Sequence, residues 1–179
     1  MHFQKVIDFW FNELSAAAHF RKDPDLDQYI AKQFGRVHQA AVAGELYSWR
    51  YKALGRLAEI IVLDQFSRNI YRDQAKAFAA DGQALILAQE AIRARADEDL
   101  SQPQRVFMYM PYMHSESEAI QNASLRLYEG LGLADNYRFA IKHQQIIKEF
   151  GRYPHRNAIL GRESTAAEIA FLKTAGSSF

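Results

Sequence analysis

Apolar residues recur at intervals of three and four along nearly the whole chain, a spacing that gathers them on one face of a helix. In the opening segment Phe3, Val6, Ile7, Trp10, Phe11 and Leu14 share such a face and leave Lys5, Asp8 and Glu13 to solvent. Nowhere does the sequence alternate apolar and polar residues in the β-branched manner of a half-buried strand. The pattern specifies an all-α fold of about seven or more helices, in a compact bundle or a stack of helical hairpins.

Stop and start signals divide the pattern. Asp23-Pro24 reads as an N-cap followed by proline at the first helical position, where its missing N–H costs nothing. The buried stripe of this helix is Leu26, Tyr29, Ile30, Phe34 and Val37, and Gly44 closes it. A third helix begins near Ser48; its Ile60 to Leu63 run, apolar on every side, belongs deep in the interior. Asp73 is expected to cap a fourth helix carrying Phe78, Leu85, Leu87, Ala88 and Ile92, in which Gly82 lowers the helix propensity. Ser101 with Pro103 opens a fifth, which Pro111 is expected to break or kink by removing a donor and clashing with the preceding turn. Ser115 to Glu118 matches the capping box S-x-x-E, predicting a new helix over AIQNASLRLYEGLG that ends at Gly130 or Gly132. Asn136 opens the next helix, stopped by Gly151, and a second box, Thr165 to Glu168, starts the last one through Ile169, Phe171 and Leu172. The tail GSSF is expected to fray.

With 179 residues the chain has the length of one domain, 1–179, able to bury its own core. No clean repeat emerges, although A-x-x-x-G-E-L-x-x-W, Ala40 to Trp49, has the small-and-aromatic character of a helical-repeat motif. Lys plus Arg is 22 against 21 Asp plus Glu, so no overall field steers the protein to nucleic acid or anionic lipid. Any anion recognition is local. Absence of cysteine removes disulfides, thiolate metal sites and a cysteine nucleophile and fits a reducing compartment. The N-terminal segment is interrupted by Asp8 and Glu13 and does not read as a signal peptide, and no apolar run is long enough for a membrane span. The expectation is a cytoplasmic protein with no nucleic-acid or membrane partner.

Three stretches are too polar for their setting. In LDQFSRN, Asp64 and Arg68 stand four apart, as do Gln65 and Asn69, and they continue the face of Leu57 and Ile61. Such charge is either an internal Asp64–Arg68 ion pair or, with Asn69, the lining of a cavity. In YMPYMHSESE, His114 follows the expected proline break and Glu116 falls in the first turn of the expected helix, where free N–H groups favour anions. In FGRYPHRNAILGREST, Gly151, Pro154, Ser164, Thr165 and Glu168 are helix punctuation, whereas Arg152, His155, Arg156, Asn157 and Arg162 are not. Those arginines either hold the last carbonyls of neighbouring helices or form a guanidinium cluster for phosphate or carboxylate. His143 lies on the stripe Phe139, His143, Ile146, Ile147, Phe150, as a hydrogen-bonded core histidine or as a general base. A metal site from His114, Glu116, His143 and His155 is chemically possible, but no tight ligand motif, no paired aspartates and no Gly-rich phosphate loop is present, and neither metal nor cofactor is expected.

VIDFWF, LDQFSRNIYR, YMPYMHSE and FGRYPHRNAILGR-ST together resemble, over essentially the whole chain, a bacterial family catalogued as a domain of unknown function and grouped with tetratricopeptide-like helical proteins. The resemblance implies an α–α superhelix of stacked hairpins. It assigns no catalytic role. The positions matching its motifs are Asp64, Gln65, Arg68, Asn69, His114, Ser115, Glu116, His143, Gly151, Arg152, Pro154, His155, Arg156, Asn157 and Arg162.

Three functions follow. The first is a site where the polar stretches meet, with Arg68, Arg152, Arg156 and Arg162 supplying charge, His114 and His155 switchable donors, and Asn69 and Asn157 orientation, for a small anionic ligand or an acidic peptide terminus. Asp64 and Glu116 are further ligand-binding candidates. The second is a hydrolase or transferase on a phosphorylated or carboxylated small molecule with His114 or His143 as acid/base. The third is an interaction scaffold in which the polar groups only clamp helices together.

Overall fold

A computed structural model describes residues 1–177, which leaves Ser178 and Phe179 of the expected frayed tail outside the described residues. Within them the structure is all-helical. Contacts gather the chain into two compact units, residues 1–72 with 76–111, and 73–75 with 112 onward.

In the first unit, α1 (Gln4–Asp8) runs into a π-helical turn, Phe9–Glu13. Next comes α2 (Pro24–Val42), whose Asp23 side chain accepts the amides of Asp25 and Leu26 as an N-cap should. The third helix does not begin at Ser48: a 3-10 turn, Tyr47–Tyr51, precedes α3 (Ala53–Ile61). Helical backbone then continues through a π turn, Val62–Phe66, into α4 (Ser67–Ile70). Ile60, Ile61, Val62 and Leu63 are wholly buried, as their all-round apolarity predicts, each contributing about 1.5–3 kcal/mol. Phe66 is the centre of an aromatic cluster, with Phe34 at 4.9 Å, Trp10 at 5.6 Å and Phe9 at 6.1 Å between ring centroids.

Asp73 caps nothing. Its backbone is left-handed (φ 61°), incompatible with the extended N-cap conformation, and α5 (Asp81–Arg93) starts eight residues later. Gly82 thus sits in the first turn of α5. Pro111 does not break its helix either: α6 (Gln102–His114) passes through it. The proline ring forfeits one hydrogen bond, but Val106, Phe107, Met108, Tyr109 and Met110 just before it are all buried, and that packing outweighs the local loss.

This displaces the helix start expected after the proline. The Ser115–Glu118 box does not form; Ser115 Oγ instead accepts the Ser117 amide at 3.2 Å, and α7 (Glu118–Leu131) begins without a side-chain cap. In the second unit α7 and α8 (Ala134–Phe150) form an antiparallel hairpin, with Gln144 donating to Asn122 across it at 3.1 Å. Asn136 lies inside the first turn of α8 rather than opening it. Gly132 and Gly151 end these helices at φ 76° and 69°, left-handed values that a side chain rarely tolerates. The last helix, α9 (Ala166–Leu172), has the complete capping box read from Thr165 and Glu168. Beyond it, Ser177 Oγ donates to Leu172 O at 3.1 Å.

Candidate functional site

The arginines of FGRYPHRNAILGREST are largely claimed by the chain's own carboxylates. Gly151 turns the backbone out of α8, and Pro154 starts a 3-10 turn, Pro154–Arg156, so that Arg152, Arg156 and Arg162 leave a short connection in different directions. Arg152 takes both oxygens of the buried Glu168, at 2.7 and 2.9 Å, and the Glu163 carbonyl at 2.8 Å. Glu168 also accepts the Thr165 amide at 2.7 Å. Arg162 takes both oxygens of Glu116, at 2.7 and 3.0 Å, and Glu116 accepts the Tyr153 amide at 2.8 Å. These are bidentate, charge-assisted contacts.

The carboxylates register it. The hydrogen bond from Arg152, helped by the Thr165 amide, draws Glu168 down from 4.5 to about 2. Burial works to raise Glu116, but the bonds from Arg162 and Tyr153 N–H and the charges of Arg162 and Arg156 outweigh it, and its net shift is downward. A carboxylate depressed on folding stabilises above its unfolded value and loses that contribution as pH falls towards the folded one. Acidifying from 4.5 to about 2 should therefore release α9: amide hydrogen exchange at residues 166–172 is expected to accelerate in that window, and Glu168→Gln to show the faster exchange already at neutral pH. Unchanged protection in both would contradict the Arg152–Glu168 clamp.

Around Tyr153 the remaining groups converge. Its buried ring has Arg156 at 4.5 Å, His155 at 5.5 Å and His143 at 5.7 Å, and its hydroxyl donates to the Met113 carbonyl. Arg156 donates to the carbonyl of His114 at 3.1 Å. His114 is thus at the C-terminal end of α6, not at a helix N-terminus, and the helix dipole there favours cations over anions. Nor does Glu116 lie in a first turn; it is the counter-charge for Arg162. His143 donates from Nδ1 to Phe139 O at 2.8 Å, and burial above all, with the charges of His114, His155 and Arg156, pushes it down to about 3. It is neutral throughout the physiological range.

Two contributors escaped the sequence reading. Gln121, fully buried, places the two N–H groups of its Nε2 within reach of three acceptors, Met113 O and Ser115 O at 2.7 Å and the Tyr153 hydroxyl at 2.8 Å. Ser124, equally buried, follows it at helical spacing. The signal was present: Gln121, Ser124, Tyr128 and Leu131 form the buried stripe of α7, and two of the four are polar. Gln121 Oε1, Ser124 Oγ and Asn157 Oδ1 have no hydrogen-bond partner among the described residues. Asn157 Nδ2 donates to Ser164 Oγ at 3.0 Å.

The first polar stretch is engaged inside the first unit. Arg68 pairs with Asp81 at 2.8 Å, donates to the Ala77 carbonyl and lies over the Phe78 ring at 4.6 Å, and the charge of Asp64, the partner read from spacing, acts on it together with that of Asp81. Asp64 accepts from Gln65, and Asn69 donates to Asp27 at 2.8 Å. The π turn buries Asp64 and Gln65 in succession. Among the described residues no three metal-ligating side chains are grouped to hold an ion, and no helix is long and apolar enough to cross a membrane.

Comparison with known proteins agrees with this architecture. A solved structure, that of a protein of unknown function, ATU0120, from Agrobacterium tumefaciens, shares 37% identity over 96% of each chain and superposes with a TM-score of 0.91. No curated protein matches. The family model described as "Bacterial protein of unknown function (DUF924)" matches residues 6–176, and the chain belongs to that family.

Proposed function

We propose that the second unit binds a small anion, a carboxylate or phosphate, through His114, His155 and Arg156 around Tyr153. The observation that carries this reading is the gathering of two imidazoles, His143 and His155, and the Arg156 guanidinium about one ring, with His114 at the end of α6 near enough for its charge to act on His143. Burial first, and after it the repulsion of His114, His155 and Arg156, keep a proton off His143, and the neighbouring carboxylate, Glu116, is engaged by Arg162 and Tyr153 N–H. An added anion relieves that repulsion. Half-buried His114 and His155 give it access. In this reading Arg152 and Arg162 move from ligand groups to the frame, with Asn157 beside them, and Asp64, Arg68 and Asn69 serve the frame of the first unit. His143, neutral and about 3 in pKa, is poorly matched to proton transfer at neutral pH, which weighs against the hydrolase or transferase alternative.

The Arg152–Glu168 and Arg162–Glu116 pairs favour a second reading, a purely structural clamp at a protein-interaction scaffold of tetratricopeptide-like type. Thermal unfolding with inorganic phosphate, citrate and a short peptide with a free carboxylate separates the two. Anion binding predicts a saturable rise in Tm, about 2.7 kcal/mol of stabilisation at a hundredfold excess over Kd, lost in His155→Ala and Arg156→Gln. If Arg156→Gln lowers Tm by many degrees while wild type ignores all three probes, the scaffold reading replaces it.

A further inference from the structure

A separate feature of the first unit points to a ligand. The 3-10 turn Tyr47–Tyr51 folds back on α3 because Gly55 lets the Trp49 carbonyl approach; an ideal Cβ at Gly55 would lie 2.0 Å from that oxygen. Arg50 is thereby laid over α3, where its Nε and Nη2 each meet a carboxylate oxygen of fully buried Glu59 at 2.7 Å. Beside it opens a cleft of about 310 Å³ with Arg50, Lys52, Arg56 and Arg95 in its lining, one acid, Asp99, and the ring of Tyr51.

The four cations are not equally compensated. Glu59 answers Arg50, and Glu98 answers Arg95 at 2.8 Å. The side chains of Lys52 and Arg56 make no hydrogen bond or ion pair with a described residue, yet they face a common recess, where like charges repel. The cleft also receives the positive end of a long helix. Lys52 is the N-cap of α3, extended and without a capping side chain, and helical backbone continues from Ala53 to Ile70. Tyr51, 85% exposed, offers an aromatic face that no packing requires.

We propose that this cleft binds a phosphomonoester, its phosphate held by Lys52, Arg56 and the first amides of α3 and its organic group laid against Tyr51. Two cations with no ion pair to a described residue, against the single acid Asp99, give the cleft a net positive charge that favours a phosphomonoester dianion, and the volume suits a small one. The site shares no residue with the anion site of the second unit.

The test is a 1H–15N NMR titration of the full chain with phenyl phosphate, with inorganic phosphate and with sodium chloride at matched ionic strength. Saturable shifts at the Ala53, Leu54 and Gly55 amides are expected with phenyl phosphate, and weaker ones with inorganic phosphate. The double variant Lys52→Gln/Arg56→Gln, which removes no side-chain hydrogen bond or ion pair to a described residue and should keep its Tm, is expected to weaken the phenyl phosphate Kd at least tenfold, whereas Arg156→Gln leaves it unchanged. Shifts that sodium chloride reproduces, or a double variant that binds as wild type does, would overturn the proposal.

Discussion

Alanine at Gly55 is expected to destabilise the protein by about 3 kcal/mol or more, the upper range for forcing atoms into a filled space. The added Cβ would stand 2.0 Å from the Trp49 carbonyl oxygen, 2.8 Å from its carbon and 3.3 Å from a Phe3 ring atom. Two of those three neighbours are backbone and cannot swing aside. Either α3 moves away from the Tyr47–Tyr51 turn, unseating Arg50 from buried Glu59, or the turn itself shifts. At roughly 2–4 °C per kcal/mol for a chain of this size, Tm should fall by roughly 6–12 °C. Gly35, inside α2 with open space for 4 Å around the point where a Cβ would stand, is the control: Gly35→Ala should raise stability by about 0.5–1 kcal/mol. Equal melting temperatures for Gly55→Ala and wild type would show that the close approach does not hold the turn.

The second large effect is acid sensitivity centred on His143. Burial holds the folded imidazole near 3 against its usual 6.5, reinforced by His114, His155 and Arg156 facing it. Between those values the unfolded chain binds a proton that the folded chain refuses, so stability is level above 6.5 and falls as pH drops below it, by about 1.4 kcal/mol per pH unit once the unfolded histidine is fully protonated. His19 and His38 are also lowered by burial and act in the same direction. Glu116 and Glu168 add their losses only below 4.5. Urea unfolding of wild type and His143→Gln at pH 6 and pH 5 isolates the histidine contribution. The variant's slope should be shallower by about one proton; identical slopes would mean that His143 is protonated in the folded state or that its site admits water.

The same histidine shows how far the sequence reached. Its place on an apolar stripe was enough to predict a buried, hydrogen-bonded imidazole, and Phe139, four residues earlier, supplies the acceptor. A helical neighbour is set by spacing. That His114, His155 and Arg156 gather about it was an expectation that spacing could not test, because they come from segments 29 residues before and 12 and 13 residues after it. The misreadings of His114 and Glu116 have one origin. Pro111 and Ser115–Glu118 are reliable local signals, yet the buried run of α6 carried the helix past the proline, and His114 and Glu116 changed roles with it.

Local chemistry thus determined the helical class, the Asp23 and Thr165 caps, the glycine stops after α7 and α8 and the burial of residues 60–63, because each depends on backbone hydrogen bonding and periodicity within a few residues. Tertiary structure alone decided which carboxylate answers which arginine: Asp81 for Arg68, Glu116 for Arg162, Glu59 for Arg50. Ion pairing is a matter of distance in space, and partners 9, 13 and 46 residues apart become neighbours only when the packed helices put them there.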